Sequence, residues 1–203
     1  MSHSTSNASG PAEAPHRRSR GRWIIVAMLA VALAPFVLSY LAYEYWQPRG
    51  RVNYGELIDP RALPQAPLQQ LDGCPFRPAD LEGKWVLLHA DGGACGESCR
   101  RQLYLMRQVR LAQGANFERI ERVWLVTDDV RPAADLAPLL EGVWIVRAGG
   151  TPLVAALPAP ADVSHHVYLV DPLGNLMLRF PRDPDPAGMI KDLQRLLKLS
   201  RIG

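Results

Sequence analysis

The chain has 203 residues, 48% of them hydrophobic, with 23 Lys+Arg against 20 Asp+Glu. Its formal net charge of +3 lies entirely within residues 1–22, where Arg17, Arg18, Arg20 and Arg22 face Glu13 alone, so the body of the chain is neutral. A neutral body argues against a nucleic-acid binder, which needs a basic face to displace phosphate counterions, and the apolar share, with 16 Gly and 18 Pro, excludes a wholly disordered, collagen-like or coiled-coil chain.

Taken in chain order, residues 1–22 read as a basic tail whose first part, rich in Ser, Asn, Ala and Pro, is disordered and solvated. Residues 23–43 follow with no charge at all, and about 20 such residues cross the hydrocarbon core of a bilayer as one helix. Trp23 at one end and Tyr40, Tyr43, Tyr45 and Trp46 at the other suit the two interfaces, and Pro35 predicts a kink within the span. A cleavable signal peptide is the rival reading, because Ala32-Leu33-Ala34 imitates a small-x-small site. Its apolar run would be short, however, and Pro35 would stand first in the mature chain. Four arginines before the span against Arg49 and Arg51 after it predict a cytoplasmic N-terminus and an exported body, periplasmic if the membrane is a bacterial inner membrane. Residues 44–67 hold Pro48, Pro60, Pro64 and Pro67 and read as a stiff stalk.

The exported domain is expected over 68–203. A turn at Asp72-Gly73 opens it, and short apolar runs predict strands near 85–90, 122–127, 143–146, 166–170 and 176–180. Helices are predicted over about 97–113, 132–140 and 151–156, and a last one from Asp185-Pro186 buries Met189, Ile190, Leu193, Leu196 and Leu197 at helical spacing. Strands alternating with helices define a three-layer α/β sandwich, and the closing hairpin makes its sheet mixed.

Three cysteines are present, and Cys95 and Cys99 are spaced Cys-x-x-x-Cys where a strand passes into a helix. If the helix begins near Cys95, both sulfurs share one face of its first turn, where unpaired N–H groups favour thiolate. Such a pair closes a reversible disulfide or offers two soft donors to an ion such as Cu(I). Two unrelated thiols or an inert structural disulfide is the blander alternative. His89 reads as a structural strand histidine, Cys74 as a thiol outside the motif, Glu97 as an exposed first-turn acid, and Asp128 and Asp129 as helix caps.

The run from Asp72-Gly73 through residues 79–88 to Cys95-x-x-x-Cys99 resembles the thioredoxin superfamily, and specifically the Sco (SenC) copper-delivery proteins of cytochrome c oxidase assembly. Residues 124–129, the Gly-Thr-Pro of 150–152 and the Asp-Pro-Leu-Gly turn of 171–174 are similar to the corresponding family segments. Only the cysteine spacing is specific to Sco. The resemblance implies a thioredoxin-like fold and copper, as Cu(I) or Cu(II), on two cysteines and one histidine. Its implied partners are the membrane and an oxidase subunit or another copper or thiol protein. The family's histidine position is Val163 here, so His165 is the expected third ligand beside Cys95 and Cys99, and His166 is expected to face the other layer or solvent. The functional expectation is a membrane-anchored copper chaperone. A thiol-disulfide oxidoreductase acting through Cys95 and Cys99, and a non-catalytic scaffold, are the alternatives.

Overall fold

The computed structural model describes residues 17–45 and 53–200, and the chain divides into two compact units, Met1–Gly50 and Arg51–Gly203. The lead expected to be disordered, Trp46 and the start of the expected stalk lie outside the described residues.

In the first unit one helix, α1, spans Arg17–Tyr45. Its segment Gly21–Glu44 has a mean hydropathy of 2.5 with its side chains exposed, so it is long and apolar enough to cross a membrane and is compatible with membrane anchoring. The helix begins six residues before Trp23, taking in part of the expected tail, because arginine is a good helix former and nothing after Pro15 stops it. It continues through Pro35.

The second unit is built on one sheet. Its elements in chain order are β1 (Glu56–Ala62), β2 (Leu68–Gln70), β3 (Pro75–Phe76), β4 (Trp85–Asp91), α2 (Glu97–Leu111), β5 (Ile120–Val126), α3 (Ala137–Leu140), β6 (Val143–Arg147), α4 (Pro152–Ala155), β7 (Val167–Val170), β8 (Asn175–Arg179) and α5 (Pro186–Leu199). The strands lie in the order β1-β8-β7-β4-β5-β6-β2-β3. β4, β5 and β6 are parallel and every other pairing is antiparallel, so the mixed sheet is as expected. The sheet is wider than its sequence pattern suggests. Glu56–Ala62, expected to be stalk, pairs with β8 as an edge strand, and its irregular register between Leu57 and Arg61 accommodates Pro60, which an edge tolerates.

Alternation along the strands divides the core in two. On one face Trp85, Leu87, Ile120, Trp124, Val167 and Leu169 pack beneath α2 and α5 with Met106, Met189 and Leu193. On the other, Val86, Leu88, Ala90, Val123 and Leu125 meet Leu63, Phe76, Leu81 and Leu153. This second layer consists of short turns and α4, so the sandwich has one fully helical side. α5 starts as its sequence dictates: Asp185 accepts from the N–H groups of Ala187 and Gly188, with Pro186 in the first helical position.

Candidate metal and thiol site

β4 ends at Asp91 and passes into the loop Gly92–Gly96, whose path its small residues permit. A side chain at Gly93 would collide with the Val130 carbonyl. Asp128 braces this loop, its Oδ1 accepting from Gly93 N at 2.8 Å and from Val130 N at 3.1 Å, where the sequence suggested a helix cap. Arg100 adds a second tie, its Nε donating to the Cys95 carbonyl at 3.3 Å while its guanidinium pairs with Asp135 at 2.8 Å. Cys95 itself has φ +44°, a left-handed conformation that costs an L-residue about 1–2 kcal/mol.

The helix starts two residues later than Cys95. Gly96 is its N-cap and Glu97, exposed, its first residue, so Cys99 alone occupies the first turn. The left-handed turn at Cys95 nonetheless brings the sulfurs together: Cys95 and Cys99 form a disulfide with their Cα atoms 5.1 Å apart. Both belong to the helix-side core, Cys95 at 2% exposure and Cys99 at 0%, which limits attack by an incoming thiol.

A histidine does lie beside Cys99, and it is His89. Alternation along β4 puts Trp85, Leu87, His89 and Asp91 on the face that α2 covers. Ligand atoms of His89, Asp91 and Cys99 all lie within 4.8 Å of one another. His89 is fully buried, and its Nδ1 is 3.0 Å from the carbonyl oxygen of His166. Its Nε2 has no hydrogen-bond partner, the closest charged group being Asp91 Oδ2 at 3.8 Å. Asp91 is held in turn by Gly92 N, which donates to Oδ1 at 2.7 Å. Gln102, one turn beyond Cys99, is likewise buried with its amide unpartnered.

His165 ends a 3-10 turn over Val163–His165, half-buried, and joins no cluster of three ligand-type side chains among the described residues. β7 begins at Val167, so His165 and His166 both precede it and strand alternation sets the direction of neither. His166 is buried rather than solvent-facing. Its Nδ1 donates to the Phe180 carbonyl at 2.8 Å, and burial pushes its pKa below the ordinary value. Cys74 is a free, exposed thiol at the β2–β3 turn, and its hydrogen bond to the Asp72 carboxylate raises its pKa, which disfavours the thiolate.

Once the disulfide is reduced, the two cysteine sulfurs and the imidazole beside Cys99 form a donor set that fits a thiophilic cation such as copper. The signal for His89 was present in the sequence as parity, since it stands two residues before Asp91 and two after Leu87 on the apolar face of a strand that runs into the cysteine loop.

Residues 85–200, more than half of the chain, match the family described as transmembrane-like, thioredoxin-like, C-terminal domain, and the chain belongs to that family. No curated protein sequence matches it significantly. Among solved structures, copper-bound yeast Sco1 superposes with a TM-score of 0.58 at 18% identity, covering 70% of this chain and 96% of that one. Apo Sco1 from Thermus thermophilus gives 0.55 at 19% identity, over 72% and 99% of the two chains. Copper-bound ScoI from Bradyrhizobium japonicum gives 0.52 at 18%, over 66% and 99%. At such identities the likeness is one of fold, the thioredoxin-like fold that the cysteine motif implied.

Proposed function

We propose that the chain is a membrane-anchored copper chaperone that carries Cu(I) as cargo on the reduced Cys95–Cys99 pair and delivers it during cytochrome c oxidase assembly. The observation that carries this reading is the meeting of two cysteine sulfurs with an unpartnered imidazole nitrogen in one buried place. The fold shared with copper-bound Sco structures supports it. In this reading α1 is the anchor, and the arginines ahead of its apolar segment keep the N-terminus cytoplasmic, with the domain in the periplasm of a bacterial inner membrane. Loading begins from the dithiol. The disulfide takes two electrons and two protons from an external dithiol, giving two thiols, and Cu(I) then displaces both protons.

A second reading, a thiol-disulfide oxidoreductase, is favoured by the disulfide itself and opposed by the burial of both sulfurs. Cells lacking the chain separate the two. Wild type should restore cytochrome c oxidase activity and copper content, while Cys95→Ser and Cys99→Ser should not, and added copper should bypass the defect if delivery is the role. A defect cured by added reductant instead would favour the oxidoreductase. Full oxidase activity in both Cys variants would remove both readings.

A further inference from the structure

The orphaned nitrogen of His89 calls for a physical account. A backbone carbonyl only accepts, so the contact between His89 Nδ1 and the His166 carbonyl puts a proton on Nδ1. In the neutral imidazole the lone pair is then on Nε2, the atom with no partner. A buried acceptor left unsatisfied costs about 1–3 kcal/mol. Asp91 does not relieve the cost, because 3.8 Å exceeds a hydrogen bond and the two groups would pair only if the buried ring were charged. An imidazole whose one nitrogen donates to a backbone carbonyl while the other is left bare, in a ring that clusters with Cys99, is placed as metal-binding histidines are.

Distances agree. With metal–ligand bonds of about 2.0–2.3 Å, two donors on one ion sit about 3–4.5 Å apart, so His89 and Cys99, whose ligand atoms already lie within 4.8 Å, need only small rotamer adjustments, and Cys95 is tied to Cys99 by the disulfide. Every part sits on a rigid element: His89 and Asp91 end a central strand, Cys99 opens α2, and Cys95 is pinned by the braced loop. His166 serves from outside, its carbonyl holding the His89 ring and its own Nδ1–H anchored on Phe180.

We propose that His89, through Nε2, is the third ligand to the cation held by the Cys95 and Cys99 thiolates, in place of His165. The Asp91 carboxylate stands beside it as a harder donor that Cu(I) leaves unused. The proposal rests on the reading that the reduced dithiol takes up Cu(I).

The test uses the full chain in detergent, reduced and kept anaerobic, titrated with Cu(I) against a chromophoric chelator. His89→Gln, whose amide can still donate to the His166 carbonyl, should weaken Cu(I) binding at least about tenfold, and His165→Ala should leave it unchanged. On the wild-type chain, the imidazole nitrogens followed by ¹⁵N NMR should show the His89 Nε2 resonance moving on Cu(I) addition while its Nδ1–H persists, a readout that needs no variant to fold. Wild-type affinity in His89→Gln, or a stationary His89 Nε2 signal in Cu(I)-loaded wild type, overturns the proposal and leaves the copper reading standing. No Cu(I) uptake by the wild type overturns both.

Discussion

Cys95 takes its left-handed backbone from a loop that has no room to relax: Gly93 abuts the Val130 carbonyl, and Asp128 holds both of those residues by their N–H groups. Gly93→Ala should therefore force the loop apart, at a cost of about 1–3 kcal/mol, read as a lower urea midpoint, and should also make the Cys95–Cys99 disulfide easier for a phosphine to reduce. An unchanged midpoint and reduction rate would show the loop to be compliant. The cysteine pair is legible in the sequence from its spacing, although the left-handed turn at Cys95 that closes it is not. The histidine is not fully so. Its parity on β4 is visible, but the bare nitrogen depends on a carbonyl 77 positions away in the chain, which no local pattern reports.

At the scale of elements, the strands that frame the site are those with dense apolar runs, β4 with its neighbours β5 and β7, and α5 follows its periodic pattern closely. β1 escapes such reasoning. It carries Pro60, is mostly exposed and has an irregular register, so its membership of the sheet is decided by pairing with β8 more than 100 residues later. What secures its lead-in is a buried carboxylate. Asp192 on α5, 2% exposed, accepts from Tyr54 N at 3.0 Å and Gly55 N at 2.8 Å, and the Tyr54 hydroxyl accepts from Asp185 N at 2.7 Å. Asp192→Ala would strand two N–H groups, and hydrogen bonds to a charged acceptor contribute about 1.5–3 kcal/mol. The expected result is a loss of that order in unfolding free energy, with hydrogen exchange rising first over residues 54–62. Exchange rising evenly across the domain would contradict this role for Asp192.

Over the whole molecule, the charge distribution and the apolar run divide the chain between a basic, membrane-compatible helix and a neutral sheet domain, a division the two compact units repeat. The domain boundary moves earlier than the sequence pattern places it, because β1 is a strand of the sheet. Both the copper reading and the oxidoreductase reading use the same two sulfurs, and what separates them is whether the reduced pair holds a metal. The most direct measurement is the stoichiometry of Cu(I) bound by the reduced, full-length chain in anaerobic competition with a chromophoric chelator. Copper carriage predicts one Cu(I) per chain, abolished in Cys95→Ser and in Cys99→Ser; a reduced wild-type chain that leaves all the Cu(I) on the chelator would contradict it.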